Sequence, residues 1–253
     1  MGLFDKIKSM FTAEFIVLEG APALSPDEDR ALALGAVYAA EGHLPVNAPT
    51  MEADPATAQK LLSGAWDVHG PDDVDRAYAF LLHQGHRGYY ALVAPRVDEV
   101  FADRRGARGV QQEHLARIGG EAAERGLDPE RARAWYTGWT GAAVAGGHAE
   151  LIDPLPASIV AWDAARVVHL SRLLLDAGLV TRDRAFEAMG EAVGLSRPAY
   201  RGWEEFGRAF VVGRAFWTAG TSRNPVDGDI GSFDRAVDRL LKDDGSPWLR
   251  LAW

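Results

Sequence analysis

The chain reads as all-α, an array of about nine or ten helices that could stack as two helical layers. Apolar residues recur at helical spacing in most stretches long enough to show a period. Helix-start and helix-stop residues punctuate the chain at helix-length intervals. The one strand-like stretch, Phe15 to Leu18, has no neighbouring run to pair with.

In chain order, Leu3, Phe4, Ile7, Met10 and Phe11 fall on one helical face, with Lys6 and Lys8 off it. This fits a helix docked on its own domain, with a membrane-surface helix as the alternative. Ser25-Pro26-Asp27-Glu28 predicts a helix start: an N-cap, Pro at the first position, then acids facing the positive end of the dipole. One helix is expected from there to Gly42, followed by a wrapping loop from Pro45 to Pro55 and a helix over Ala56 to Ala65 ending at Trp66. Pro71-Asp72-Asp73 opens a helix that ends at Gly85, and further helices are expected over Arg96–Phe101, Val110–Arg125 and Pro129–Val144. Gly138 and Gly141 in the last of these suit close helix contact. Trp135 and Trp139, one turn apart, could lie at a surface groove.

Pro154 and Pro156 mark the clearest boundary. Residues 1–24 read as an N-terminal amphipathic helix and connector, 25–153 as an N-terminal helical part and 154–253 as a C-terminal helical part, together one integrated domain. Beyond the boundary a helix runs from Ser158 to Ala177, stopped by Gly178. Thr181 caps the next, a long helix follows Pro198 to Thr218, and Ser232 caps a last amphipathic helix. The tail carries Trp248 and Trp253, and two tryptophans in eight terminal residues predict that it packs back.

Composition narrows the function. The chain has 253 residues and a formal charge of -9, which argues against a nucleic-acid partner and suits a basic protein partner. Arg104, Arg105 and Arg108 are interleaved or flanked with acids and form no basic stripe. With no cysteine, thiolate catalysis and cysteine-ligated zinc are excluded. No apolar run approaches the ~20 residues of a membrane span, and a cytoplasmic protein is the simplest reading. No cofactor and no metal are expected. His83 and His86 lack a third ligand at a recognisable spacing, and the Asp227-Gly228-Asp229 loop has Ser232 where a calcium loop needs Gly.

The unusual chemistry is concentrated from Ala161 to Trp217. Trp162, Arg166, His169 and Leu173 make one stripe, and Asp163, Val167, Leu170 and Leu174 the next, so an Asp, an Arg and a His sit among residues that must be buried. Each then needs a partner. Trp203, Phe206, Phe210, Gly213 and Trp217 form an aromatic face on the long helix, with Arg214 after the glycine. The simplest arrangement pairs Asp163 with Arg214 across that contact. Asp163, Arg166, Arg172 and Arg214 read either as a buried ion-pair network or as a site, because convergent arginines also bind carboxylate or phosphate. His169 reads as a core histidine. Ala65-Trp66-Asp67 and Ala161-Trp162-Asp163 also raise the question of a duplicated unit.

Ala161-Trp162-Asp163, Arg166, Arg172 and Gly178, with Tyr200-x-x-Trp203-Glu204-Glu205-Phe206-Gly207 and Gly213-Arg214-x-Phe216-Trp217, resemble the signature of the bacterial YbeU/YbeR-like family of unknown function. Trp66, Gly85-His86-Arg87 and Ser246-Pro247-Trp248 look like its flanking pattern, so the resemblance runs from Trp66 onward. It implies a bacterial protein loosely linked to conflict systems and brings no activity. The candidate ligand, interaction or structural residues are Asp163, Arg166, His169, Arg172, Trp203 and Arg214, with Trp66, His86 and Arg87 secondary and no catalytic residue assigned. The function expected is a cytosolic protein-interaction module, an immunity or regulatory partner. The alternatives are an enzyme or small-molecule binder using the Asp/Arg/His cluster, and a membrane-peripheral module.

Overall fold

Ser25 starts the first helix by a reciprocal cap. Its hydroxyl accepts from the Glu28 amide and the Glu28 carboxylate accepts from the Ser25 amide at 2.8 Å. The computed structural model in which this is seen describes residues 14–102, 107–147, 151, 153–221 and 230–253. The Leu3–Phe11 helix, Arg104, Arg105 and the Asp227–Asp229 loop lie outside the described residues. Within them the fold is all-α, with no strand and ten helices of seven residues or more.

The helix expected to run unbroken to Gly42 is two: α1 (Pro26–Ala33) and α2 (Ala36–Gly42). The break falls at Gly35, where a Cβ would stand 2.5 Å from Val168 Cγ1. The strand-like stretch is extended but unpaired. The Val46 amide donates to Ile16 O at 2.9 Å, and the Asn47 side chain exchanges two hydrogen bonds with the Leu18 backbone at 2.8 and 3.0 Å.

α3 (Pro55–Ala65) is capped by Asp54. A 3₁₀ turn (Pro71–Asp73) and α4 (Val74–Ala79) then lead into a π-helical turn (Phe80–Gln84) and α5 (Gly85–Ala102). The helix expected over Arg96–Phe101 begins eleven residues earlier as part of α5, with Pro95 inside it. α6 (Ala107–Glu124) and α7 (Pro129–Val144) follow. α8 (Val160–Asp176), α9 (Arg182–Ser196), α10 (Trp203–Thr221), α11 (Ile230–Lys242) and the short α12 (Pro247–Arg250) complete the order. Ser232 therefore lies inside α11 and does not cap it.

α8 is apolar almost all round and is packed by α2, α3, α5, α9 and α10, the position such a helix must take. Two aromatic clusters meet on α10. Phe206 and Phe210 point into one with Trp162, Trp203 and Trp248, while Val212 and Phe216 point into another with Tyr89, Tyr90, Trp135 and Trp139. Missing side chains allow the close crossings: a Cβ on Gly213 would strike Trp162, and one on Gly138 would strike the Ala219 carbonyl. The tail packs back as expected. Trp248 is 4% exposed, stacks on Trp203 at 5.2 Å and donates to Ala33 O at 2.8 Å, while half-buried Trp253 donates to Tyr200 O at 2.9 Å.

Candidate functional site

The site begins with a junction in the backbone. The Gly85 amide donates to Phe80 O, closing the π-helical turn, and Gly85 itself stands at φ +61 as the first residue of α5. The first amides of a helix have no partner inside it. Here Asp163, on α8, supplies one from across the fold. Its carboxylate accepts from the His86 amide at 2.9 Å, the Arg87 amide at 3.1 Å and Arg87 Nη1 at 3.0 Å. The Arg87 guanidinium also donates to Leu81 O and Leu82 O, both at 2.6 Å, and so satisfies carbonyls of the π-helical turn. A side chain at position 85 would fall on the Asp163 carboxylate.

Asp163 is 1% exposed. Burial pushes its pKa up, but hydrogen bonding from His86 and the charge of Arg87 more than offset this, and it stays below the usual carboxylate range. Asp163 therefore does not pair with Arg214, as the sequence suggested. Side-chain matching overlooked the backbone donors of a helix start, which lie in exact reach of this carboxylate.

Arg166 lies one turn further along α8, and its surroundings differ. Its guanidinium carbon sits 4.5 Å from the Trp66 ring centre and 5.4 Å from that of Trp162, and Nη1 is 3.0 Å from His86 Nδ1. No carboxylate lies within ion-pair distance of it among the described residues. Burial lowers its pKa by more than Tyr38 and the Asp163 carboxylate raise it, with a smaller lowering from the charge of Arg214, yet an arginine remains charged.

His86 Nδ1 has two neighbours, Arg166 at 3.0 Å and Asp163 Oδ1 at 3.4 Å. A guanidinium can only donate, so the shorter contact makes Nδ1 an acceptor and places the ring proton on Nε2. Burial holds the His86 pKa below its ordinary value, in keeping with a neutral ring.

Arg166 and His86 line a cleft of about 710 Å³. The C-terminal end of α3 contributes Trp66 and Asp67 to it, α4 Arg76, α7 Arg131 and Trp135, and α10 Trp217 and Gly220. Arg76 is committed to Asp67 and Asp73 at 3.3 and 3.0 Å and fixes the turn at Asp67, itself at φ +54. Arg131 is exposed at the rim and has no ion-pair partner among the described residues. The cleft is thus rich in guanidinium in a chain whose net charge is -9.

The remaining sequence candidates divide. Arg172 serves the fold, donating to Pro45 O and Thr50 O at 2.8 and 2.7 Å. Burial brings its pKa down to about 10. His169 stacks on Tyr38 at 4.5 Å, and burial pushes its pKa down to about 4. Trp203 belongs to the tail contact, donating to Leu251 O at 2.8 Å. Arg214 lies over Trp217 at 4.8 Å and Phe233 at 5.2 Å. Trp66, His86 and Arg87, secondary in the sequence, stand at the centre of the structure. The two Ala-Trp-Asp tripeptides are not equivalent positions of a repeat: Trp66 follows the end of α3, whereas Trp162 lies in the first turn of α8. Of the anticipated groove pair, Trp135 lines the cleft and Trp139 is core.

A second polar cluster joins three helices. His114 of α6 reaches Tyr136 Oη of α7 at 2.9 Å and Glu99 of α5 at 3.0 Å beside a cavity of about 120 Å³. Tyr136 is 1% exposed, so its hydroxyl acts as a tether and is out of reach of a ligand.

An all-α fold with an arginine-lined cleft at a helix junction is the class of protein this geometry defines. The chain belongs to a family described as "Protein of unknown function (DUF1266)", whose model matches residues 61–253 and so takes in the whole cleft and the junction. No curated protein matches the chain, and no solved structure does.

Proposed function

We propose that the protein binds a small anionic molecule in the cleft, with Arg166 as the group that holds the charge. The observation carrying this reading is a guanidinium packed against two tryptophan rings, in the wall of a cleft, with no carboxylate within ion-pair distance among the described residues. Removing such a cation from water costs several kcal/mol, roughly, unless something compensates it, and ring faces and one imidazole nitrogen compensate only in part. His86 orients the guanidinium, and the Asp163 junction orients His86. The interaction-module reading rests on the net charge and the family resemblance, and the charge of the cleft runs opposite to the net charge. The Trp162-Asp163-x-x-Arg166 signature supports placing the chain with the bacterial YbeU/YbeR-like proteins.

Because Trp66, Trp135 and Trp217 line the cleft, intrinsic fluorescence reports on its occupancy. Titration with acetate or inorganic phosphate at fixed ionic strength should give a saturable change that Arg166→Met abolishes. A flat titration, or one unaltered in Arg166→Met, would reject the assignment.

A further inference from the structure

We infer that the anion bound here carries a planar aromatic or heteroaromatic ring. The inference rests on the anion-binding reading and adds the class of ligand. Size is the first argument. A cleft of about 710 Å³ lies within the range of small-molecule and cofactor sites, roughly 300–1,000 Å³, whereas an inorganic anion would fill a small fraction of it. The second is the character of the wall between the two free charges. Besides Arg166 and Arg131, the lining includes four aromatic rings, Trp66, Phe80, Trp135 and Trp217, among small residues and the Asp67–Arg76 pair.

Trp66 and Trp217 are only partly buried, and each has a guanidinium over its ring, Arg166 at 4.5 Å and Arg214 at 4.8 Å. Both rings line the cleft, and an indole offers a flat ligand group a stacking partner. Third, Trp135 lies against Gly220, a lining residue where any Cβ would strike its ring, and adds a further indole to the wall. Arg166 then takes the anionic group through the guanidinium hydrogens that His86 leaves free.

Nucleoside monophosphates and aromatic carboxylates share this chemistry, and isothermal titration calorimetry on the full chain separates them. The probes are AMP and indole-3-acetate, with ribose 5-phosphate and hexanoate as ring-free anions and adenosine as an uncharged ring, all at one ionic strength. Stacking on a tryptophan strengthens binding about 10-fold or more. At least one aromatic anion should therefore bind about 10-fold tighter than its ring-free counterpart and than adenosine. Ala134→Glu places a negative charge on an exposed lining position of α7 and should weaken that binding at least about 10-fold without lowering the melting temperature. Equal binding of ring-free and aromatic anions would overturn the ring assignment and leave the anion site standing. Binding by none of the anions, acetate and phosphate included, would overturn both.

Discussion

Asp163 and Arg166 stand one turn apart on α8, and both touch His86, yet the two sides of that turn are built differently. On the Asp163 side every strong group has its opposite: three N–H groups converge on a carboxylate, and the arginine that supplies two of them also satisfies two carbonyls. On the Arg166 side the guanidinium meets ring faces and one imidazole nitrogen, beside a cleft. The first arrangement is complete without a ligand and the second is not. A buried charge therefore signals a site only when its accounts are left open.

The largest effect expected from this contrast belongs to Gly85. A side chain there must adopt φ +61 and displace Asp163, so Gly85→Ala should lose about 4 kcal/mol or more, or fail to fold, as read by urea unfolding. Asp163→Asn should cost about 3 kcal/mol, because Arg87 is left buried without its counter-charge. The double variant with Arg87→Met should recover part of that loss, and strict additivity in the same assay would show the pair to be uncoupled. Arg172→Met should cost about 2 kcal/mol by stranding the Pro45 and Thr50 carbonyls. Arg166→Met should change stability by no more than about 1 kcal/mol, since it keeps the packing against both rings while giving up one hydrogen bond. If it matched Asp163→Asn, the two sides would be one structural network.

The smallest effect expected is in the pH dependence. His169 has its folded pKa pushed down to about 4, below the unfolded value near 6.5. Its contribution is thus fully present above pH 6.5 and is lost as the pH falls towards 4, because the unfolded chain binds the proton first. His169→Gln should flatten that part of the stability profile measured by denaturant melts from pH 7 to 4.

Much of this organisation was legible in the sequence where local chemistry decides it. Ser25 and Thr181 cap the helices their types foretell, and Gly178 ends α8 in the left-handed region. Long-range packing decided the rest. Gly35 reads as a tolerable helix residue until Val168 presses on it, and nothing local before Arg96 shows an α5 already under way. The candidate residues were recognised as a set, but the pairing was not. Asp163 prefers backbone amides from residues 77 and 76 positions away, and no side-chain pattern announces an amide as a partner. Arg131 and Trp135 sit on an ordinary amphipathic stretch of α7, and only the fold brings them to Arg166.

The π-helical turn at Phe80–Gln84 carries a consequence for insertions and deletions. Relative to an unbroken α-helix it holds one surplus residue, and that surplus sets the phase of everything after it. Deleting one residue there would let the turn relax to α geometry, which each N–H and carbonyl tolerates. It would also shorten the chain between Phe80 and His86 by one residue and draw the Gly85 junction away from Asp163. His86 would leave the cleft, Arg87 would lose Leu81 O and Leu82 O, and the carboxylate on α8 would face a different amide. Related chains should thus keep a fixed count of residues between Phe80 and His86.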